Sequence, residues 1–218
     1  MAPPFSADEF FQVFVAYNTA VWPAQILLVG LALAAVALAL KPGPGSGRAI
    51  AGILAVLWAW MAIAYHWAFF SEINPAARFF GGLFLLEGAV LTWAGFRSVG
   101  LRFEPRRDRL GFTGAFFILY ALALYPLLGH ALGHRYPAQP TFGLPCPTTI
   151  FTVGLLLWAR PPVSWILLVV PVVWSMVGMT AVIYFGVFED ALLPVATLSA
   201  AGLIALENRP WHRQRIRP

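Results

Sequence analysis

An ionisable side chain held in hydrocarbon costs roughly 3 kcal/mol or more, so one inside a long apolar run marks a place where chemistry has to be considered. Glu87 is such a residue, at the middle of the apolar stretch 79–96. At about 1.5 Å per helical residue it lies about 12 Å from either end. Gly81, Gly88 and Gly95 follow one another at seven-residue intervals, on a stripe about 100° around the helix from Glu87, and Ala94 shares its face. Small residues let helices approach closely, so this side faces a bundle and not lipid. One reading is a proton carrier or cation ligand. The other is a protonated acid donating a single interhelical hydrogen bond.

The histidines form the second candidate. His66 stands near the end of an apolar run, with Ala55, Ala59 and Ala62 on its face, which points it inward against another helix. His130 and His134 are four residues apart and share a face if the helix continues past Pro126. Two imidazoles at that spacing can reach one metal ion. Taken singly, each is an interfacial histidine bonded to water or headgroups; together, three of the four histidines fall on one predicted side.

The third candidate is Gly143-Leu-Pro-Cys-Pro-Thr-Thr149. Pro147 suits the first position of a helix, which puts Cys146 at or beside the N-cap, where free backbone N–H groups attract an anionic ligand atom such as a thiolate. A span interrupted in this way is a sequence pointer to a transport site; it is also how a kinked helix with an inert thiol would read. Glu72, Asn74, Arg78, Arg135, Thr148 and Thr149 lie on the same side. With His66, His130, His134 and Cys146 as donors, the expected metal is a transition ion such as zinc or copper, and Glu87, Cys146, Thr149 and Glu72 are the expected binding or transport residues. Haem held by a histidine pair is a further reading of the same residues.

These residues must be positioned by membrane helices. The chain of 218 residues is 60% hydrophobic and 11% charged, with mean hydropathy +0.77, whereas a soluble domain is about a quarter charged. The expected fold is an all-α integral membrane bundle in a single domain, with a short interfacial helix over 5–20 and seven spans. Those spans are 21–40, 49–70, 79–96, 110–128, 142–159, 163–188 and 191–206. Ser6 and Glu9 have the spacing of a capping box at the start of the interfacial helix. The acidic start, without a basic n-region, does not read as a cleaved signal peptide.

Twelve of the fourteen Lys and Arg fall in alternate loops and in the basic tail 207–218; the other loops hold only Arg78 and Arg135. The positive-inside rule then puts the amino end outside a cell inner membrane and the carboxyl end in the cytoplasm. A re-entrant fifth segment would invert everything after it, so that segment is expected to cross. Trp22, Trp67, Trp93, Trp158 and Trp165 fall near span ends, as an aromatic belt does. The net charge of +5 comes from these loops and the tail. It therefore points to anionic lipid headgroups at the cytoplasmic face and not to nucleic acid. One cysteine excludes an intramolecular disulfide and a multi-cysteine zinc site. No phosphate-binding loop, zinc-protease helix, serine-hydrolase elbow or dinucleotide fingerprint is present.

Three stretches carry a resemblance. They are Glu9-Phe-Phe through Tyr17-Asn18 with Trp22-Pro-Ala-Gln25, then Tyr65-His-Trp-Ala-Phe-Phe-Ser-Glu-Ile-Asn-Pro75, then Gly133-His-Arg-Tyr-Pro137 leading into Phe142-Gly-Leu-Pro-Cys-Pro-Thr-Thr149. On these the chain resembles, over nearly its full length, an uncharacterised family of bacterial inner-membrane proteins, a domain of unknown function sometimes labelled transporter permease. The resemblance implies a polytopic membrane protein and supplies no activity.

Three functions remain in view. The first is a transporter or channel for a small solute or transition-metal ion. The second is a membrane-embedded zinc hydrolase with Glu72 or Glu87 as base, or a Cys146 nucleophile served by His134. The third is a non-catalytic subunit working with a partner membrane chain or a second copy of itself. Transport ranks first, because a helix broken at membrane depth calls for a reason beyond packing.

Overall fold

The computed structural model describes residues 4–97, 100–160 and 162–209. The tail beyond residue 209 lies outside the described residues. The chain is all helical, and among the described residues the only β pairing is two isolated bridges. Five helical stretches are long and apolar enough to cross a membrane: 46–72, 77–96, 109–131, 166–185 and 188–207. A sixth is counted if the bent pair formed by α1 (Ala7–Val21) and α2 (Ala24–Leu40) is one span.

Helix α1 starts on the expected capping box, with Ser6 Oγ accepting from the Glu9 amide and Glu9 accepting from the Ser6 amide. The bonds from Ser6 hold the exposed Glu9 carboxyl below its ordinary pKa. Phe10, Val13, Phe14, Tyr17 and Asn18 are buried, the three-and-four spacing of one helix face. The chain then bends by 86° into α2, so the apolar helix that follows α1 starts at Ala24, three residues later than the span expected from 21. That bend lays α1 across one end of the bundle, where Phe10 stacks on Phe185 at 4.5 Å and Phe14 on Tyr65 at 6.3 Å.

Helix α3 (Ser46–Trp60) runs into a π-helical turn at Met61–Trp67 and packs antiparallel on α4 (Ala77–Phe96). The glycine stripe makes this contact. A Cβ on Gly95 would stand 2.3 Å from the Ala51 Cβ, and one on Gly88 3.2 Å from the Ala55 carbonyl. Helix α5 (Arg109–Leu119) continues through a second π turn, Tyr120–Leu124, into α6 (Tyr125–Ala131).

The fifth segment departs most from expectation. Instead of a span over 142–159, α7 (Pro145–Leu157) has 13 residues, every one of them buried except Cys146, which is partly so. Such a helix rises only about 20 Å, against a hydrocarbon core of roughly 30 Å. The non-helical residues Phe142–Leu144, all buried and turning at Gly143, lead into the helix. Non-helical backbone at depth is tolerated only inside protein with its polar groups met. Asn18 does this for the loop just before it, donating to the carbonyls of Pro137 at 2.6 Å and Gln139 at 2.8 Å while accepting from Gln25 and Thr141. Helix α7 packs on α5, where Gly114 and Gly154 sit back to back, and on α9 (Leu192–Glu207).

Helix α8 (Ile166–Phe185) completes the ring. The arginine-bearing loops gather at one end, which we call the basic end. There Arg160 N–H donates to Arg102 O at 2.7 Å, Arg160 pairs with Glu104, and Asn208 holds Val163. Arg106 binds both Asp108 and Glu207. Burial works against the Arg106 charge, but the two carboxylates outweigh it and hold its pKa above the ordinary value. The tail end of segment five, Trp158–Arg160, joins the basic end, and its other end brings Cys146 against Trp174 and Gly178, about midway along α8. Trp22, Trp67, Trp93 and Trp165 are exposed near helix ends; Trp158 instead is buried, donating to Gly111 O at 2.9 Å. Large apolar side chains such as Leu27, Phe79, Phe112 and Ile183 face outward around the bundle.

Candidate functional site

Opposite the basic end, α1, the π turn of α3, the start of α7 and the last turns of α8 enclose a cleft of about 240 Å³. Its walls are aromatic. Phe10 and Phe14 come from α1, Tyr65 from the π turn, Phe70 from the short turn after it, and Trp174 and Phe185 from α8. The polar groups converge near Asp190, the one formally charged side chain among the described residues that line the cleft. Tyr125 donates to Asp190 Oδ1 at 2.5 Å, and the Cys146 thiol also bonds to this carboxylate. No ion-pair partner for Asp190 occurs among the described residues. Beside Cys146 the indole N–H of Trp174 is buried with no oxygen or nitrogen acceptor.

The local sequence explains this convergence. Asp190 and Glu189 sit in a 3-10 turn that links α8 to α9 with almost no loop, so both are buried, at 4% and 0% exposure. Glu189 Oε1 contacts His134 Nδ1 at 2.8 Å, while Tyr120 donates to the Glu189 backbone carbonyl. An acid at a helix start also faces the positive end of the helix dipole. Both π turns border the site: one carries Tyr65 and His66, the other Tyr120 with Tyr125 directly after it. Such turns shift side chains off the regular helical register and recur at functional positions.

The residues expected from sequence are divided by the structure. Cys146 lines the cleft, but α7 begins at Pro145, two residues earlier than Pro147, so Cys146 is inside the first turn and not at the N-cap. Its contact with Asp190 uses the S–H as donor, the reverse of a thiolate stabilised by backbone N–H groups. His66 points inward as expected, fully buried among Tyr65, Phe70, Phe80, Phe84 and Trp174, with both ring nitrogens unpartnered. His130 is exposed and His134 is taken by Glu189. The expected three-histidine cluster is therefore not assembled. Among the described residues no group of three or more His, Cys, Asp or Glu could hold a metal ion. The physical reason is that the helix carrying His130 ends at Ala131, so the two histidines do not share a helix face. Cys146 and His134 bond to different acids and do not form a nucleophile–base pair. Glu72 is exposed and outside the cleft lining. Glu87 and Thr149 are fully buried away from the lining, with both Glu87 oxygens and Thr149 Oγ1 unpartnered.

Asp190, Tyr125, Tyr65 and Trp174 were not singled out from the sequence. Two spans separated only by Glu189-Asp190 held the signal, since a turn that short has no room to turn both acids into water.

Fold and site together define a class: an all-helical protein with several helices of membrane-crossing length and an aromatic cleft at one end. The chain belongs to a family of unknown function, DUF6064, which it matches over residues 7–215. No curated protein and no solved structure matches it.

Proposed function

We propose that this protein is an inner-membrane carrier of seven crossing segments that takes a small solute into the cleft from the outer face. The observation that carries the reading is the cleft itself, mostly apolar but ending on Asp190, Tyr125 and Cys146. A concave apolar site with a few converging polar groups is what small-molecule recognition requires. Transport over simple binding is supported by the breaks around the cleft: two π turns, the short α7 and Pro171 within α8. Orientation follows the arginines, with the basic end cytoplasmic and in contact with anionic headgroups. Arg48, Arg97 and Arg102 line a groove of about 490 Å³ there, suited to that contact. The scattered donors favour an organic solute over a transition-metal ion.

The sole cysteine makes the test direct. In single-orientation proteoliposomes held at alkaline pH, which raises the thiolate fraction, a small membrane-impermeant thiol reagent added to the cleft side should modify Cys146. A carrier that exposes its site alternately should also be modified from the tail side, more slowly. Modification from the cleft side alone would make this a binding protein and overturn transport.

A further inference from the structure

We propose that the cleft binds an organic ammonium ion carried on a small apolar or aromatic body. This rests on the cleft being a ligand site and names the class of ligand. Three observations converge. Asp190 is a buried carboxylate lining the cavity with only neutral donors, Tyr125 and Cys146, upon it. A buried carboxylate without a counter-ion either stays protonated or receives a cation from outside.

The walls decide between those outcomes in favour of a cation with an organic surface. Ring faces carry negative electrostatic potential, and cages of aromatic rings around a carboxylate suit ammonium groups because the cation is attracted while its alkyl surface leaves water. Phe10, Phe185, Phe70, Tyr65 and Trp174 supply such rings, several in mutual contact. An inorganic cation would need about six or more oxygen ligands gathered on it, and the rings that form most of these walls supply none.

Trp174 contributes independently. Its indole N–H is buried beside the cleft with no oxygen or nitrogen acceptor and faces the Cys146 sulfur, a weak acceptor that an oxygen of a ligand would improve on. The ligand fitting both groups therefore carries an ammonium and, close to it, a hydrogen-bond acceptor such as a hydroxyl or ester oxygen. Anionic ligands are disfavoured, because Asp190 and the nearby Glu189 would repel them and, among the described residues, no Lys or Arg lines the cleft.

Cys146 reports on this preference without any added label. Two methanethiosulfonate reagents of similar size, one ending in trimethylammonium and one in sulfonate, are applied to the reconstituted protein, together with the small neutral methyl reagent. Each rate is divided by its rate with a free thiol in solution. The ammonium reagent is expected to modify Cys146 about tenfold faster than the sulfonate, and benzyltrimethylammonium, but not benzenesulfonate, to slow the neutral reagent. Asp190→Asn should bring the two charged reagents close to parity; the protection measurement in the unsubstituted protein stands even if that variant folds poorly. Equal normalised rates with no protection by benzyltrimethylammonium would overturn the ammonium assignment while leaving the cleft intact. Failure of even the neutral reagent to modify Cys146 at alkaline pH, with full modification once the protein is unfolded, would instead remove the cleft as a ligand site.

Discussion

Glu87 illustrates how a single side chain can be located correctly and still not join the site. Both its oxygens are buried without a partner, deep in the contact between α4 and its neighbours. An orphaned buried polar group costs about 1–3 kcal/mol. Glu87→Met, similar in length and apolar, should therefore raise the unfolding midpoint in detergent; a lower midpoint would reveal an interaction that the carboxyl makes in the membrane. Asp190 behaves oppositely, because Tyr125 and Cys146 both depend on it. Asp190→Ala strands two buried donors and should lower thermal stability by about 1–3 kcal/mol, an effect that Tyr125→Phe reproduces in part. Residue type alone ranked Glu87 above Asp190, since one stood in mid-span and the other at a predicted loop. Only the brevity of that loop, two residues between spans, spoke for Asp190.

Helical elements in this chain are set by apolar run length, and their departures from regularity by tertiary contacts. The glycine stripe on α4 was legible as a packing face, because small residues at seven-residue spacing have few other uses in a span. That the fifth segment is short and broken at its start was legible from Gly143, Pro145 and Pro147; where its helix begins and ends, Pro145 and Leu157, was not. What supports the non-helical chain leading into it is Asn18 on the buried face of α1, distant in sequence, meeting two loop carbonyls. Asn18→Ala should accelerate amide hydrogen exchange across 137–145 relative to the rest of the chain; unchanged exchange would mean that the loop holds itself. On the other side of α7, a Cβ on Gly114 would stand 2.7 Å from the Gly154 carbonyl oxygen. Backbone cannot step aside cheaply, so Gly114→Ala should cost about 1–3 kcal/mol, read as a drop in the unfolding midpoint.

Across the whole molecule, charge is sorted to the two ends. Arginines from four separate loops meet at one end, while the buried acids Asp190 and Glu189 lie at the other. A fluorescent protein fused after Arg209 should fold and fluoresce in the cytoplasm, and a reporter active only outside should stay silent there. The reverse pattern would invert the proposed orientation. Arg106 ties the start of α5 to the end of α9 through Glu207. Arg106→Ala should leave the cleft chemistry unchanged but loosen the basic end, visible as faster proteolysis near residue 207.

Sequence by itself determined the all-helical class, the alternation of basic and acidic ends, the amphipathic α1 and its capping box, because each depends on local periodicity or on counting charges between apolar runs. The tertiary structure alone decided which polar groups meet. Whether His134 reaches His130 or Glu189, and whether Cys146 faces a metal or Asp190, depends on how helices distant in the chain rotate and end. That rotation is governed by contacts such as glycine against backbone and ring against ring, which leave no spacing pattern within any one segment.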